Sequence, residues 1–227
     1  MNAERQRMTA VLRALSRTRG STMLARLGQG KPFHTLVATM LSARTRDEVT
    51  ETVAAELLRQ YPDPGTLAAA RPERLWPLLR RVGLYRAKSR NLVAMSRELL
   101  SRHGGKVPDR MQDLTALSGV GRKTAGCVLV YAFGKSALPV DTHVHRISNR
   151  LGVVHTRTPE QTEQALLEIV PRRYVPWVND LFVHHGKTVC LPQRPRCAQC
   201  PVRRHCDFAM LNGFTKTTDN DRGSRHG

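Results

Sequence analysis

The stretch "MQDLTALSGVGRKTAG", residues 111–126, reads as a short helix, a tight Gly-Val-Gly turn and a second helix beginning near Arg122. Gly119 and Gly121 lack a Cβ, so both are expected to be able to take positive φ. With side-chain bulk removed from the turn, successive backbone N–H groups at the start of the second helix can point at one phosphate. Such a grip on a nucleic-acid backbone ignores base sequence, and it makes Gly119, Val120, Gly121 and Arg122 candidate DNA-binding residues. The same turn also serves as an ordinary joint between two helices. A nucleotide-binding loop is excluded, because the spacing G-x-x-x-x-G-K-S/T is absent.

Lys123 falls in the first turn of the second helix, where the helix dipole and adjacent Arg122 disfavour a further positive charge. Those conditions are expected to depress the amine's pKa and leave a neutral nucleophile for a carbon at the aldehyde oxidation level, such as a sugar C1′. A solvated surface lysine is the plainer reading of the same position. A carboxylate comes from "LPVDTHVHR", residues 138–146, in which Asp141 follows an apolar turn and precedes a helix as a natural N-cap. Capping uses only part of its acceptor capacity, so Asp141 can also take a proton from the amine or stabilise a developing cation. His143 and His145 are either phosphate donors or ordinary surface residues of that helix.

Around these motifs apolar residues recur three and four positions apart, and alternating strand-like runs are nearly absent, so the chain reads as all-α. Helices are expected over 5–19, 33–43, 47–60, 85–103, 121–133, 142–151, 160–169 and 174–186, with a weaker one over 72–82 that Pro77 would interrupt. Thr158, Pro159 and Gln161 mark one start by cap, first-turn proline and third-position glutamine. The chain has 227 residues, 40% of them apolar, enough for a real core in one large domain or two small ones.

Its 37 Lys and Arg against 18 Asp and Glu leave a formal charge of +19, which points to a polyanionic partner, nucleic acid first. No apolar run is long enough to span a bilayer, and membrane attachment is set aside. The N-terminal stretch lacks the apolar core and small-residue cleavage site of a secretory signal, so the expected location is the cytoplasm, at the nucleoid.

Cys190, Cys197, Cys200 and Cys206 form a C-x6-C-x2-C-x5-C pattern in "CLPQRPRCAQCPVRRHC". Four thiolates within seventeen residues can wrap one tetrahedral or cubane metal centre, and spacing alone leaves zinc and an iron–sulfur cluster both open. The loop carries Arg194, Arg196, Arg203 and Arg204, so a metal-stiffened surface for phosphate contact is its expected role. The fifth cysteine, Cys127, reads as a small buried hydrophobe.

Four features together, "LSGVGRKTAG", "VDTH" with its aspartate eighteen residues after the lysine, the earlier "MLSART" and the four-cysteine loop, resemble the endonuclease III family of iron–sulfur DNA glycosylases. The resemblance runs from about residue 30 to residue 208. It implies a two-lobed helix–hairpin–helix DNA glycosylase fold with a DNA-binding groove between the lobes. A six-helix barrel would span 21–134, residues 1–20 plus 135–210 would carry a 4Fe-4S cluster on the four cysteines, and the polar tail 211–227 would be disordered.

By the same resemblance Lys123 attacks C1′ of a flipped-out nucleotide, expels the base and forms a Schiff base that cuts the strand by β-elimination, with Asp141 assisting. The implied substrate is double-stranded DNA containing oxidised pyrimidines or abasic sites, and the implied form is a monomer. Extrusion leaves a hole in the stack, and Leu84 and Arg44 match the family's wedge residues. Arg44 stands where the family usually has glutamine, and arginine favours guanine's acceptors. Ser118 stands where the hairpin commonly has proline, which is expected to loosen the turn slightly.

Other readings fit less well. An adenine mismatch glycosylase uses a glutamate on the early helix, and residues 33–46 hold no carboxylate. A thymine mismatch glycosylase generally lacks the lysine. A non-catalytic DNA-binding protein has no use for a carboxylate beside the amine, and no Asp/Glu cluster suits a two-magnesium nuclease.

Overall fold

The computed structural model describes residues 3–17, 23 and 30–214. Among these every regular element is helical and no strand occurs. The chain divides into two compact units. One takes in the N-terminal helix, Thr142–Pro171 and the chain from Leu181 onward; the other holds the intervening chain through Asp141 together with Arg172–Asp180.

The larger unit is organised by α1, Pro32–Ser42. Its sequence PFHTLVATMLS is apolar on nearly every side, and eight of its residues from Phe33 to Leu41 are buried, as a helix surrounded by others requires. Thr35 and Thr39 are tolerated inside because their hydroxyls donate to the carbonyls of Lys31 and Thr35 at 3.0 and 2.7 Å. α2, Asp47–Gln60, buries only the stripe Thr50, Val53, Ala54 and Leu57, and places Asp47 and Glu48 in its first turn, where the dipole favours them.

Short α3, Pro64–Ala68, starts in a reciprocal capping box between Asp63 and Thr66. The expected 72–82 helix is split: Pro72–Leu75 is a 3-10 turn, and α4, Trp76–Leu79, accommodates Pro77 near its N-terminus, where the missing N–H costs nothing. α5, Tyr85–His103, ends at Gly104, whose φ of 57° closes the helix in the left-handed conformation. α6, Met111–Thr115, and α7, Arg122–Tyr131, complete the unit. Leu36, Leu41, Leu57, Leu92, Met95, Leu99, Leu114 and Val128 share its core, each worth about 1.5–3 kcal/mol of burial.

The other unit is built from separated pieces of chain. The N-terminal helix, α8 in this numbering, spans Ala3–Ser16 and buries Met8, Val11, Leu12 and Leu15. Arg7 anchors it to the far end of the sequence, donating to the carbonyls of His205 (2.8 Å) and Leu151 and pairing with the Asp207 carboxylate. α9, Thr142–Leu151, and α10, Pro159–Ile169, follow. The Thr158 hydroxyl caps α10 by accepting from the Gln161 N–H at 3.3 Å, while the Gln161 side chain accepts from the Arg157 N–H at 3.0 Å.

α11, Val178–Thr188, belongs to the larger unit through Asp180 and to this one from Leu181; it begins later than expected, because Pro176 lies in the preceding 3-10 segment, Arg172–Trp177. The cysteine loop and short α12, Asp207–Leu211, close the unit.

The division departs from the expected one at 135–141 and 172–180, which both belong to the larger unit. Of the tail expected over 211–227, Leu211 ends α12, and residues from 215 lie outside the described residues. Among the described residues no helix is long and apolar enough to cross a membrane.

Candidate active site

The hairpin turn between α6 and α7 uses its two glycines differently. Gly119 has φ 75°, and a Cβ there would lie 2.7 Å from the Asn91 side chain, so both conformation and space demand glycine. Gly121, expected to be another positive-φ residue, is instead extended at φ −86° and ψ 172° as the N-cap of α7. A Cβ at Gly121 would meet nothing within 4 Å, so its bareness leaves the helix N-terminus open to an approaching group. Val120 points inward and is 5% exposed, so it contributes to the core and offers at most its backbone; Arg122 is exposed.

Ser118 does not loosen this turn. Its backbone N–H donates to Glu98 Oε2 at 2.7 Å and its hydroxyl to Glu98 Oε1 at 2.6 Å, a two-point attachment to α5. A proline could make neither bond.

Lys123 is half-buried in the first turn of α7. One helical turn on, and therefore on the same face, is the fully buried thiol of Cys127, linked to Lys123 by a side-chain hydrogen bond. The expected depression of the Lys123 pKa is reversed. Negative charge at Cys127 raises it most, burial pulls the other way, and the Asp141 and Asp47 carboxylates add to the rise. Burial also pushes the Cys127 thiol above its ordinary value, so near neutral pH this thiol is uncharged. The two carboxylates are then the charges that favour a Lys123 ammonium. The helix dipole is outweighed because Asp141 and Asp47 are full charges beside the amine.

Asp141 itself is half-buried and immediately precedes α9. A cation with a carboxylate acting on it, in the turn that opens a helix, can hand a proton over and then act as a nucleophile.

Two other turns of the same unit carry a matched irregularity. Arg44 and Leu84 are both non-glycine residues in the left-handed region, at φ 54° and 59°. Each such residue costs of order 1 kcal/mol or more. Arg44 is exposed, and Leu84 is 60% exposed, unusual for a large apolar side chain and contrary to a core role.

In the other unit, Cys190, Cys197, Cys200 and Cys206 are free thiols lining one cavity with Ile147, Val189 and Val202. Burial raises the thiol of Cys200 to about 11 and lifts Cys197 and Cys206 as well, so a cationic centre is what would convert these groups to thiolates. Arg150 donates to Cys190 Sγ at 3.4 Å, and His185 Nε2 lies 3.6 Å from Cys200 Sγ, outer contacts of the kind that orient metal ligands. Among the described residues no three His, Cys, Asp or Glu side chains converge on a point that would hold a single ion. The four thiols line one cavity, and an all-cysteine donor set is compatible with an iron–sulfur group.

Arg194, at φ 50°, and Arg196 are exposed on this loop, whereas Arg203 is tied back by a bond to the Ala198 carbonyl. His143 Nδ1 sits 3.1 Å from Arg146 Nη2, and His145 Nδ1 sits 2.6 Å from Thr162 Oγ1. His145 is thus part of the contact between α9 and α10, not a surface donor. Lys123, Asp141, the hairpin, Arg44 and Leu84 belong to the larger unit; His143, Arg194, Arg196 and the cysteines belong to the other. Sequence reasoning passed over Glu98, Lys88 and the Lys123 contact of Cys127. Only the last had a readable signal, the four-residue spacing.

The family described as "HhH-GPD superfamily base excision DNA repair protein" matches residues 37–172. The chain is 48% identical over 182 residues to endonuclease III of Thermotoga maritima, covering 80% of this chain and 85% of that protein. It is 34% identical over 182 residues to endonuclease III of Escherichia coli strain K12, covering 80% and 86%. The fold is similar to that in a structure of a trapped endonuclease III–DNA covalent intermediate, an estranged-adenine complex, with a TM-score of 0.85 and 31% identity over 94% of this chain and 100% of that one. The chain belongs to the HhH-GPD superfamily of base excision DNA repair proteins and, within it, to the endonuclease III family.

Proposed function

We propose that this protein is a bifunctional DNA glycosylase and abasic-site lyase that removes oxidised pyrimidines from double-stranded DNA. The observation that carries this reading is the half-buried Lys123 amine with the Asp141 carboxylate acting on it. The relative whose structure is a trapped covalent intermediate with DNA supports it.

Lys123 rests as an ammonium, so the reaction begins with transfer of its proton, and Asp141 is the acceptor. The free amine attacks C1′ of an extruded nucleotide. The C1′–N bond breaks as the new C–N bond forms, and the base leaves with the bonding electrons and gains a proton. The attached amine then gives up a proton, the C1′–O4′ bond opens as nitrogen's lone pair forms the C1′=N bond, and O4′ takes up a proton; the resulting iminium acidifies the C2′ hydrogen, whose loss expels the 3′ phosphate and cuts the strand. The same Asp141 carboxylate also stabilises the cationic sugar that develops as the base departs.

Backbone N–H groups around Gly119 and Gly121, with Arg122, hold the DNA backbone; His143, Arg194 and Arg196 add phosphate contacts, and Arg44 and Leu84 fill the gap left by the extruded nucleotide. Cys190, Cys197, Cys200 and Cys206 hold a 4Fe-4S cluster, whose chemistry here is cross-linking a loop too small to own a core. The basic surface fits action at the DNA of the cytoplasm.

The test is borohydride trapping on duplexes carrying an abasic site or an oxidised pyrimidine, with Lys123→Ala beside the wild type. An adduct on both substrates that is lost in the variant is the expected result. An adduct that persists in Lys123→Ala overturns the lysine assignment, and none on either substrate despite intact DNA binding returns the chain to a binding protein.

A further inference from the structure

Lys88 is 8% exposed, an unusual burial for lysine, and lies one turn into α5. Its ammonium donates to the carbonyls of Leu41 at 2.6 Å and Ala43 at 2.5 Å and to Thr45 Oγ1 at 3.3 Å. These groups flank Arg44 on both sides. Its backbone N–H donates to the Leu84 carbonyl at 3.0 Å. One residue therefore reaches both left-handed positions, one through its side chain and the other through its main chain.

We propose that Lys88 is a positioning residue for base extrusion, pinning the Arg44 turn to the Leu84 turn so that the two side chains enter the duplex as one preset wedge. This rests on the reading of Arg44 and Leu84 as gap-filling residues.

Three features of the contact support it. The Gly83 N–H donates to the same Thr45 hydroxyl at 3.3 Å, so both turns converge on one oxygen. A Cβ at Gly83 would lie 2.8 Å from the Arg44 carbonyl oxygen, so the turns touch backbone to backbone and leave room only for glycine. Left-handed conformations at side-chain-bearing residues persist only where the surroundings over-determine them, and around Arg44 the surroundings are Lys88, Thr45 and Gly83.

Lysine also suits the place electrostatically. The carbonyls of Leu41 and Ala43 lie at the C-terminal end of α1, where the helix dipole favours a cation. Burial nevertheless lowers the Lys88 pKa to about 8. A wedge held this way needs no rearrangement on meeting DNA, which is what pre-organisation contributes to a rate.

The experiment uses the full chain, wild type, Lys88→Met, Thr45→Val and Leu84→Ala, on an oxidised pyrimidine placed either in a paired duplex or in an unpaired bubble. Single-turnover excision is followed together with the fluorescence of 2-aminopurine opposite the lesion. In the paired duplex Lys88→Met is expected to slow excision roughly tenfold and to blunt the fluorescence change, because a small misplacement of a positioning group has an effect of that size. In the bubble, where nothing need be pried open, its rate is expected to return to within about twofold of wild type.

Equal slowing on both substrates would make Lys88 an ordinary structural residue and overturn the proposal, as would no slowing on either. If Leu84→Ala leaves paired-duplex excision and fluorescence unchanged, the wedge reading fails and the proposal falls with it. If Leu84→Ala is impaired while Lys88→Met is not, the wedge stands and the Lys88 role alone is rejected. Should Lys88→Met fail to fold, Thr45→Val decides on the same criteria, since it removes the shared hydroxyl and leaves no buried charge unpaired.

Discussion

Lys123 and Cys127 stand one turn apart on the same face of α7, joined by a side-chain hydrogen bond. Negative charge on that thiol, which burial confines to the alkaline side, is the largest influence raising the Lys123 pKa. A raised amine pKa means that the neutral nucleophile becomes abundant only at high pH, so the rate of Schiff-base formation climbs on the alkaline side.

Replacing Cys127 by Ala is expected to move that climb to lower pH, because burial then acts on Lys123 with one opposing influence fewer. Cys127→Ser, which keeps a hydrogen-bonding atom, is expected to move it less. The pH dependence of single-turnover trapping on an abasic site measures both. A profile unmoved in Cys127→Ala would show that Asp141 and Asp47 alone set the amine.

The two hairpin glycines separate stability from binding. Gly119→Ala forces a left-handed alanine into the Asn91 side chain, and is expected to destabilise the protein by about 1–3 kcal/mol in denaturant unfolding. Gly121→Ala has neither strain nor a clash and is expected to leave unfolding within about 0.5 kcal/mol while weakening DNA affinity, read by fluorescence anisotropy.

Lys88 gives stability a pH signature. Its pKa falls from 10.5 to about 8 on folding. Between those values the unfolded chain holds more proton than the folded one, so stability rises with pH across that window. The full increment is of order 3 kcal/mol. Lys88→Met lacks it, so the difference in unfolding free energy between wild type and Lys88→Met should shift in favour of the wild type from pH 8 to pH 10.5. A difference that stays flat would place the amine in water.

Cys197→Ser is expected to abolish the brown iron–sulfur absorbance and to lower DNA affinity at least tenfold, through loss of order in the loop bearing Arg194 and Arg196. Titrating zinc into the apo wild-type protein tests the donor geometry: recovery of full DNA affinity with zinc would show that one ion suffices.

Much of the fold is legible because helices leave a period. The expected 47–60, 85–103 and 142–151 coincide with the observed helices, and Thr158 caps as its motif says. Where proline enters, the period misleads: Pro176 delays α11 to Val178, and Pro77 sits in a helix start that tolerates it. Motif spacing singles out Lys123 and Asp141, because a hairpin and an aspartate before a helix are local patterns.

The contacts that tune them are not local. Lys88 reaches carbonyls 45 and 47 positions away, and Ser118 meets Glu98 at a distance of 20, separations that carry no sequence period. Carboxylates brought in by the fold likewise overturn the dipole argument for Lys123.

The anchoring of Arg7 sets an order on synthesis. Its partners His205 and Asp207 lie 198 and 200 residues later, so they leave the ribosome roughly 10–40 s after it at ordinary translation speeds. Through that interval the apolar stripe of Met8, Val11, Leu12 and Leu15 lacks its finished seat, while most of the larger unit has already been made. The apolar stripe of this helix thus waits for its full seat until the segment bearing the last cysteine has been made, and that wait is the interval in which a chaperone specific for apolar helices would hold it.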